Sequence, residues 1–166
     1  MPPTLTGDPK SHPNSSFIDG LTGTCLCGSI TVTIKDQELF TKKRGHLCHC
    51  SNCRKSSGSF VAANLAIDSD VVEVKDRDGT LKTYDDYETG SGKKVERVFC
   101  ARDGNPIMSV PEIYPGKVVL KMGIFPRIPA PEMETFSDHR HAWQGEHDGL
   151  IQYATVRGGK KFGEKE

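Results

Sequence analysis

The sequence has no hydrophobic run long enough to cross a membrane or to form the core of a signal peptide. Residues 1–16 read MPPTLTGDPKSHPNSS and are rich in proline, serine and threonine. A segment with so little apolar surface cannot offset the entropy lost on ordering, so we predict a disordered N-terminal arm over 1–16. From these absences we expect a cytoplasmic protein without a membrane partner.

The chain also lacks an excess of charge of either sign. Its 22 lysine and arginine residues are matched by 22 aspartate and glutamate residues. Proteins that bind nucleic acids or anionic membrane surfaces present a basic patch, which usually shows in the net charge. The balanced charge therefore argues against a nucleic-acid partner.

Apolar residues are few as well, since 35% of the chain is hydrophobic and the mean hydropathy is −0.50. Glycine (17) and proline (10) are frequent, and both interrupt regular structure. A length of 166 residues suits one ordinary domain. Its core would be lean and rich in turns, which is the setting in which a bound metal adds most to stability.

The hydrophobic pattern between the two ends is that of short strands. Residues 29–35 (SITVTIK) alternate Ile30, Val32 and Ile34 with polar side chains, a period of two that is typical of a half-buried strand. Further strands, separated by turn-rich segments, are predicted over 60–67, 71–74, 81–84, 95–99, 118–122 and 150–156.

No long stretch shows the periodicity of an amphipathic helix, and only a short helical turn is predicted, over 54–58. The predicted fold class is therefore all-β, with short antiparallel sheets in a single small domain over 17–157. The last residues, 158–166 (GGKKFGEKE), are predicted to form a flexible C-terminal tail.

Six cysteines are the residues best suited to carry chemistry. They form a C-x-C followed by glycine, a C-x-C-x-x-C and a lone cysteine, at Cys25 and Cys27, at Cys48, Cys50 and Cys53, and at Cys100. Thiols stay reduced inside the cell, and C-x-C pairs form poor disulfides. Three cysteines within six residues are also hard to explain by core packing. The pattern therefore predicts metal binding, with zinc as the metal.

The grouping of the cysteines suggests two kinds of zinc site. Cys48, Cys50 and Cys53 can supply three ligands from one loop, which leaves the fourth position open, as catalytic zinc requires. The remaining cysteines, Cys25, Cys27 and Cys100, can form a structural site whose fourth ligand would be Asp103. The alternative is that this second site is weak or absent, so we expect one or two zinc ions per chain.

Several polar residues beside the cysteines are weaker candidates. Arg54 can pair with a substrate carboxylate or with the anionic cluster, or can be a plain surface charge. His46 and His49 can act as acid or base, can replace a metal ligand, or can make structural hydrogen bonds. A polar group nearer the C-terminus can line a pocket, or can simply belong to a solvated loop. It comprises Asp138, His139, His141, His147 and Asp148.

The segments 24–28 (TCLCG), 48–58 (CHCSNCRKSSG) and 99–100 (FC) together resemble the glutathione-dependent formaldehyde-activating enzyme (GFA) family, which includes the centromere protein V domain. The resemblance implies an all-β zinc fold known as a β-tent. It assigns Cys48, Cys50 and Cys53 to a catalytic zinc and the other cysteines to a structural zinc. Asp103 stands where the family usually has a fourth structural cysteine.

The resemblance implies a carbon–sulfur lyase or synthase that adds the thiol of glutathione to formaldehyde, giving S-hydroxymethylglutathione. Three thiolates on Zn²⁺ leave a net charge near −1, so such a site should activate a bound water less than neutral ligands do and should suit a substrate thiol. Two alternatives stay open. The same scaffold can act on another metabolite by hydrolysis, decarboxylation or dehydration, or it can be a non-catalytic zinc module that binds a protein or chromatin partner.

Overall fold

The computed structural model describes residues 7–164, and within them it contains eleven strands and one α-helix. The strands are β1 (Leu21–Thr24), β2 (Ile30–Ile34), β3 (His46–Cys48), β4 (Ala62–Asp68), β5 (Val72–Asp76), β6 (Leu81–Asp86), β7 (Val95–Cys100), β8 (Pro106–Pro111), β9 (Lys117–Lys121), β10 (Met133–Thr135) and β11 (Ile151–Gln152). The helix, α1, spans Ser51–Ser57. Short 3₁₀ turns occur at Pro9–Ser11, Asn14–Phe17, Ser69–Val71, Met122–Ile124 and Ser137–His139. The predicted all-β class is confirmed.

The strands form two sheets. The small sheet has the order β1-β2-β5, and the large sheet has the order β11-β10-β3-β4-β9-β8-β7-β6. Neighbouring strands are antiparallel except that β10 runs parallel to both β3 and β11. The large sheet is therefore mixed at the edge that carries β3.

The core lies between the two sheets and follows from the alternation in the sequence. Ile30, Val32 and Ile34 of β2 are fully buried and belong to the same apolar cluster as Leu65 of β4 and Leu120 of β9. Leu65 and Leu120 are cross-strand partners, so they point to the same face of the large sheet. The small sheet covers this face.

The opposite face of the large sheet is polar in its middle strands. The strand register pairs His46 with Asn64, and Asn64 with Lys121, while Cys48 is paired with Ala62. Because side chains alternate along a strand, these residues lie on the face turned away from the core. α1 contacts β4, and the metal-binding candidates of the C-x-C-x-x-C lie at its first turn.

The predicted strands are present with shifted ends, but four strands were missed: β1, β3, β8 and β10. The three residues of β10 are all buried, so no alternation is visible in its sequence, and β8 begins and ends on proline, which lacks a backbone donor. The strand predicted over 150–156 is only β11, because after it Ala154 N–H donates to Lys160 O in a turn back along the chain.

The helix begins earlier than predicted. The Cys50 side chain accepts a hydrogen bond from the backbone N–H of Cys53 and so caps α1, which starts at Ser51. Gly58 ends the helix with a φ of 62°, a left-handed conformation that favours glycine. The capping cysteine therefore helps to form the local structure that holds the other candidate ligands.

The predicted arm and tail lie partly outside the described residues, at 1–6 and 165–166. The described part of the arm is attached to the domain where Arg127 Nη1 donates to His12 O, at 2.7 Å. In the tail, Phe162 N–H donates to Gln152 O. The boundaries of the arm, domain and tail stay predictions. Within 7–164, no helix has the length and apolar character needed to cross a membrane.

Candidate metal centres

The first cysteine cluster joins two turns that are far apart in the sequence. Cys25 and Cys27 lie in the turn between β1 and β2, and Cys100 ends β7, with Asp103 in the following turn. The Sγ of Cys27 is 3.5 Å from that of Cys25 and 3.7 Å from that of Cys100. Four tetrahedral ligands with Zn–S bonds of about 2.3 Å would place sulfurs about 3.8 Å apart. The sulfur spacing therefore fits a metal ion.

The carboxylate of Asp103 is held against this cluster, and the four candidate ligand atoms all lie within 4.8 Å of one another. Its Oδ2 accepts from Cys27 N–H at 2.7 Å, and its Oδ1 accepts from Asn105 N–H at 2.9 Å. Burial acts to raise the pKa of Asp103, but hydrogen bonds from these two backbone donors and from the thiols of Cys27 and Cys100 together outweigh it, and the pKa is lowered. The four residues together could hold a metal ion, with a charged carboxylate as the oxygen donor.

A hydrogen-bond network surrounds the sulfurs of the first cluster. Ser29 lies 3.2 Å from Cys27 Sγ, and this contact lowers the pKa of the Cys27 thiol against the effect of burial. Ile30 N–H donates to Cys25 Sγ at 3.3 Å. Such outer contacts orient metal ligands and are part of a working site.

Replacing Asp103 with alanine is expected to weaken metal binding at the first cluster by at least about 10–100-fold, which is the usual cost of losing an outer-shell partner. The loss would be larger if the carboxylate binds the metal directly. Zinc affinity would be measured by competition with a chromophoric chelator, and Asp138→Ala, on an exposed surface turn, serves as a matched control. An unchanged affinity would show that Asp103 takes no part in the site.

The second cluster is local in sequence. Cys48 ends β3, Cys50 is the N-cap of α1 and Cys53 lies in its first turn. Their sulfur atoms lie within 4.8 Å of one another, and within residues 7–164 no fourth Asp, Glu, His or Cys side chain completes this group. Three donors that converge in this way could hold a metal ion with one position left for another ligand. All six cysteines are free thiols.

Positive charge lies on the sheet face beside the second cluster. Hydrogen bonds from Cys48 and Cys50 lower the pKa of Cys53, burial opposes them, and the charges of Lys121 and Arg97 add to the lowering. Lys121 is only 5% exposed and its Nζ donates to Asn64 Oδ1 at 3.0 Å, while Asn64 Nδ2 lies 3.8 Å from Cys53 Sγ. One amide side chain therefore connects a buried cation to the cluster.

A groove of about 590 Å³ opens beside these residues. Asn52, Lys55 and Ser56 of α1 form one wall, and β6–β9 supply the floor. The floor and far wall include Tyr84, Asp86, Arg97, Phe99, Met108, Ser109 and Lys121. Ligand sites commonly have this volume and this mixture of apolar and polar lining.

Arg97 in the groove is already paired. It donates to Asp86 Oδ2 through Nε at 3.0 Å and through Nη2 at 2.7 Å, and Asn52 Nδ2 donates to the same oxygen at 2.9 Å. Its Nη1 donates to Ser109 Oγ at 3.3 Å. These bonds join α1 to the floor of the groove and fix the wall beside Cys53.

The weaker candidates from the sequence, Arg54, His141 and His46, differ in what they contact. Arg54 donates through Nε to His49 O at 3.0 Å, and its Nη1 is 3.1 Å from His141 Nε2. His141 in turn stacks on the exposed Trp143, with ring centroids 5.5 Å apart. His46 lies on the same sheet face as Cys48, and burial lowers its pKa to about 4, so its ring is neutral at pH 7.

His49 is fully buried, and its ring contacts a carboxylate that the sequence did not single out. Its Nε2 lies 2.8 Å from Oε1 of Glu134, which is also fully buried. Arg140 Nη2 donates to Glu134 Oε2 at 3.0 Å, and His147 Nδ1 is 2.9 Å from Oε1. Glu134 lies on β10, which pairs with β3. Through His49, this network therefore fixes the segment between Cys48 and Cys50 against β10.

Comparison with known proteins gives one family. The sequence model of the family described as glutathione-dependent formaldehyde-activating enzyme matches residues 20–139. No curated protein matches the chain significantly. A crystal structure of a Rhodobacter sphaeroides protein is similar, with 19% identity and a TM-score of 0.47, over 63% of this chain and 86% of that chain. This structural likeness is too low to bear on function.

Proposed function

The chain belongs to the glutathione-dependent formaldehyde-activating enzyme family, and we propose that it is a zinc-dependent carbon–sulfur lyase that joins a thiol to a small aldehyde. One observation carries the proposal. The sulfurs of Cys48, Cys50 and Cys53 converge at the start of α1 with a fourth position free, close to a groove of substrate size. Glutathione and formaldehyde are the substrates that we propose, and the cytoplasm is the proposed location.

The fit of the second cluster to zinc rests on its donors, which are three soft sulfurs within 4.8 Å of one another. Zinc bound there would hold a substrate thiol as the thiolate, which is the nucleophilic form. In the overall reaction a carbon–sulfur bond forms at the aldehyde carbon. The carbon–oxygen π bond breaks, and the proton of the thiol ends on the oxygen, so the reaction needs no oxidant or reductant.

The residues around the cluster have separate tasks in this proposal. Asn64 donates toward Cys53 and orients it, and Lys121 balances the negative charge that three thiolates bring to the site. Hydrogen bonds to ionised groups are about twice as strong as neutral ones. His49 contributes through its position: its contact with Glu134 holds the loop, and its backbone oxygen receives Arg54.

We propose that the first cluster holds a second, structural zinc. Cys25 and Cys27 belong to the turn of the small sheet, whereas Cys100 and Asp103 belong to the large sheet. A metal ion bound by all four would join the two sheets across the thin core. This contribution matters in a chain with few apolar residues, because a metal bound only by the folded state stabilises that state.

The proposed activity is tested by magnetisation-exchange NMR with ¹³C-formaldehyde and glutathione. We expect the zinc-loaded protein to speed exchange between formaldehyde and S-hydroxymethylglutathione. Cys50→Ser should return the exchange to the uncatalysed rate, whereas Ser59→Ala, an exposed position just after α1, should leave it as in the wild type. Exchange that is no faster with the wild-type protein than without it would rule out this function.

A further inference from the structure

Lys121 is a buried cation with spare hydrogen-bonding capacity. An ammonium group has three donors, and within residues 7–164 its single hydrogen-bond partner is Asn64 Oδ1, at 3.0 Å. The side chain is 5% exposed. Burying an ammonium group costs several kcal/mol unless it is paired and hydrogen-bonded. A buried ammonium group with unused donors and no carboxylate partner therefore favours the binding of an anion.

The neighbouring arginine differs in this respect. Arg97 lies on the same floor of the groove, but Asp86 neutralises it through two hydrogen bonds. No carboxylate of the described chain forms an ion pair with Lys121. Burial lowers the pKa of Lys121, and the cysteines of the second cluster act against that lowering. Lys121 is thus the buried cation of the groove that is not already paired with a carboxylate.

The position of Lys121 connects the cluster with the groove. On one side, Asn64 links it to Cys53 Sγ. On the other side, Lys121 itself lines the groove, together with Ser109. None of the three cysteines is among the residues that line the groove, so Lys121 and Asn64 provide the connection between groove and cluster. A thiol at the cluster would need only a short chain to bring a carboxylate to Lys121, because one side chain, Asn64, separates Cys53 from Lys121.

We propose that Lys121 anchors a carboxylate of the substrate at the floor of the groove, so that the site selects anionic thiols over neutral thiols of the same length. This inference rests on the proposed function, since it takes the second cluster as the thiol site. The class of ligand is a small thiol with a carboxylate a few bonds from its sulfur. Lys121 would then determine specificity through contact with the substrate.

A purely structural role for Lys121 gives a different expectation. If it served only to balance the charge of the cysteine sulfurs, its removal would weaken the binding of charged and uncharged thiols alike. A carboxylate anchor instead changes the ratio of the two affinities. The ratio therefore separates the two roles even if the absolute affinities change.

The test uses 3-mercaptopropionate and its uncharged amide, 3-mercaptopropanamide, which have nearly the same shape. Their dissociation constants are measured by titration calorimetry on the zinc-loaded, full-length wild type. A hydrogen bond to a charged group predicts that the carboxylate binds at least about tenfold more tightly than the amide. Equal binding of the two thiols to the wild type would overturn the inference and leave the proposed thiol site intact. If neither thiol binds, this inference fails, and the exchange of formaldehyde with S-hydroxymethylglutathione decides the proposed function separately.

Variants then assign the preference to the residue. Lys121→Met should bring the ratio of affinities close to one, and Lys117→Met, at the exposed start of the same strand, should leave it as in the wild type. Zinc content and melting temperature are measured for each variant. If Lys121→Met does not fold, Lys121→Gln, which can still donate a hydrogen bond to Asn64, takes its place with the same expectation. A preference that survives the loss of the Lys121 charge would overturn the inference.

Discussion

Replacing Glu134 with glutamine is expected to destabilise the folded protein by about 3–5 kcal/mol, because removing one partner of a buried ion pair leaves the other charge uncompensated. The carboxylate is fully buried and receives Arg140, which is 6% exposed, as well as the rings of His49 and His147. The uncharged amide cannot accept from all three. The free energy of unfolding would be measured by urea denaturation of the zinc-loaded protein.

A neighbouring glutamate provides the matched control. The Glu132 side chain is 37% exposed, and its contact with Arg157 is long, at 3.8 Å. Exposed pairs of this kind contribute about 0–1 kcal/mol, so Glu132→Gln should be nearly neutral. Equal small effects of both substitutions would mean that the Glu134 network contributes nothing to stability.

The effect of Glu134→Gln should also depend on pH. Burial acts to raise the pKa of Glu134, but the hydrogen bonds from His49 and His147 and the charge of Arg140 outweigh it, and the pKa is lowered in the folded state. A lowered pKa means that the stabilisation is complete above the ordinary pKa of a glutamate and is lost as the pH falls through the folded value. The difference between wild type and Glu134→Gln should therefore shrink under acidic conditions.

Cys27→Ser is expected to lower the free energy of unfolding by about 4 kcal/mol, whereas Cys50→Ser should change it much less. A ligand present at about a thousand times its dissociation constant contributes that amount to the folded state. The first cluster draws its residues from both sheets, so the zinc proposed there would join them, and the substitution would remove that crosslink. The second cluster spans only six residues, from the end of β3 to the first turn of α1, so the first can still hold the domain together without it.

The comparison requires thermal or urea unfolding of both variants at the same free zinc concentration, since bound metal makes the midpoint depend on that concentration. Cys50→Ser should keep the secondary structure of the wild type and lose activity. Equal loss of stability in the two variants would contradict the division into a structural and an open site.

The parts of the fold that follow local rules were predictable from the sequence. The alternation of Ile30, Val32 and Ile34 gave β2, because a strand with one buried face repeats every two residues. The second cysteine cluster was predictable because it is also local. Cys48, Cys50 and Cys53 lie within six residues, and the cap and first turn of α1 bring them together. The first cluster was predictable once one assumed that the turn with Cys25 and Cys27 meets the turn that follows Cys100.

The features that depend on strand register were not predictable. Lys121 ends an apolar strand, and only its pairing with Asn64 across β4 and β9 shows that it lies beside the cysteines. Glu134 and His49 are 85 positions apart and meet because β10 pairs in parallel with β3, through a strand of three residues without alternation. The sequence offered two separate signals: Lys121 directly follows the apolar residues Val118, Val119 and Leu120, and His49 stands between two cysteines. Neither pattern identifies the partner that the side chain contacts.

The proposed enzyme has two metal sites, one of which keeps an open position at Cys48, Cys50 and Cys53. Elemental analysis of zinc in the wild type and in Cys50→Ser tests this arrangement most directly. We predict two zinc ions per wild-type chain and one per Cys50→Ser chain. A single zinc ion that is unchanged by the substitution would place the metal at Cys25, Cys27 and Cys100 alone, and would contradict the open site on which the proposed enzyme depends.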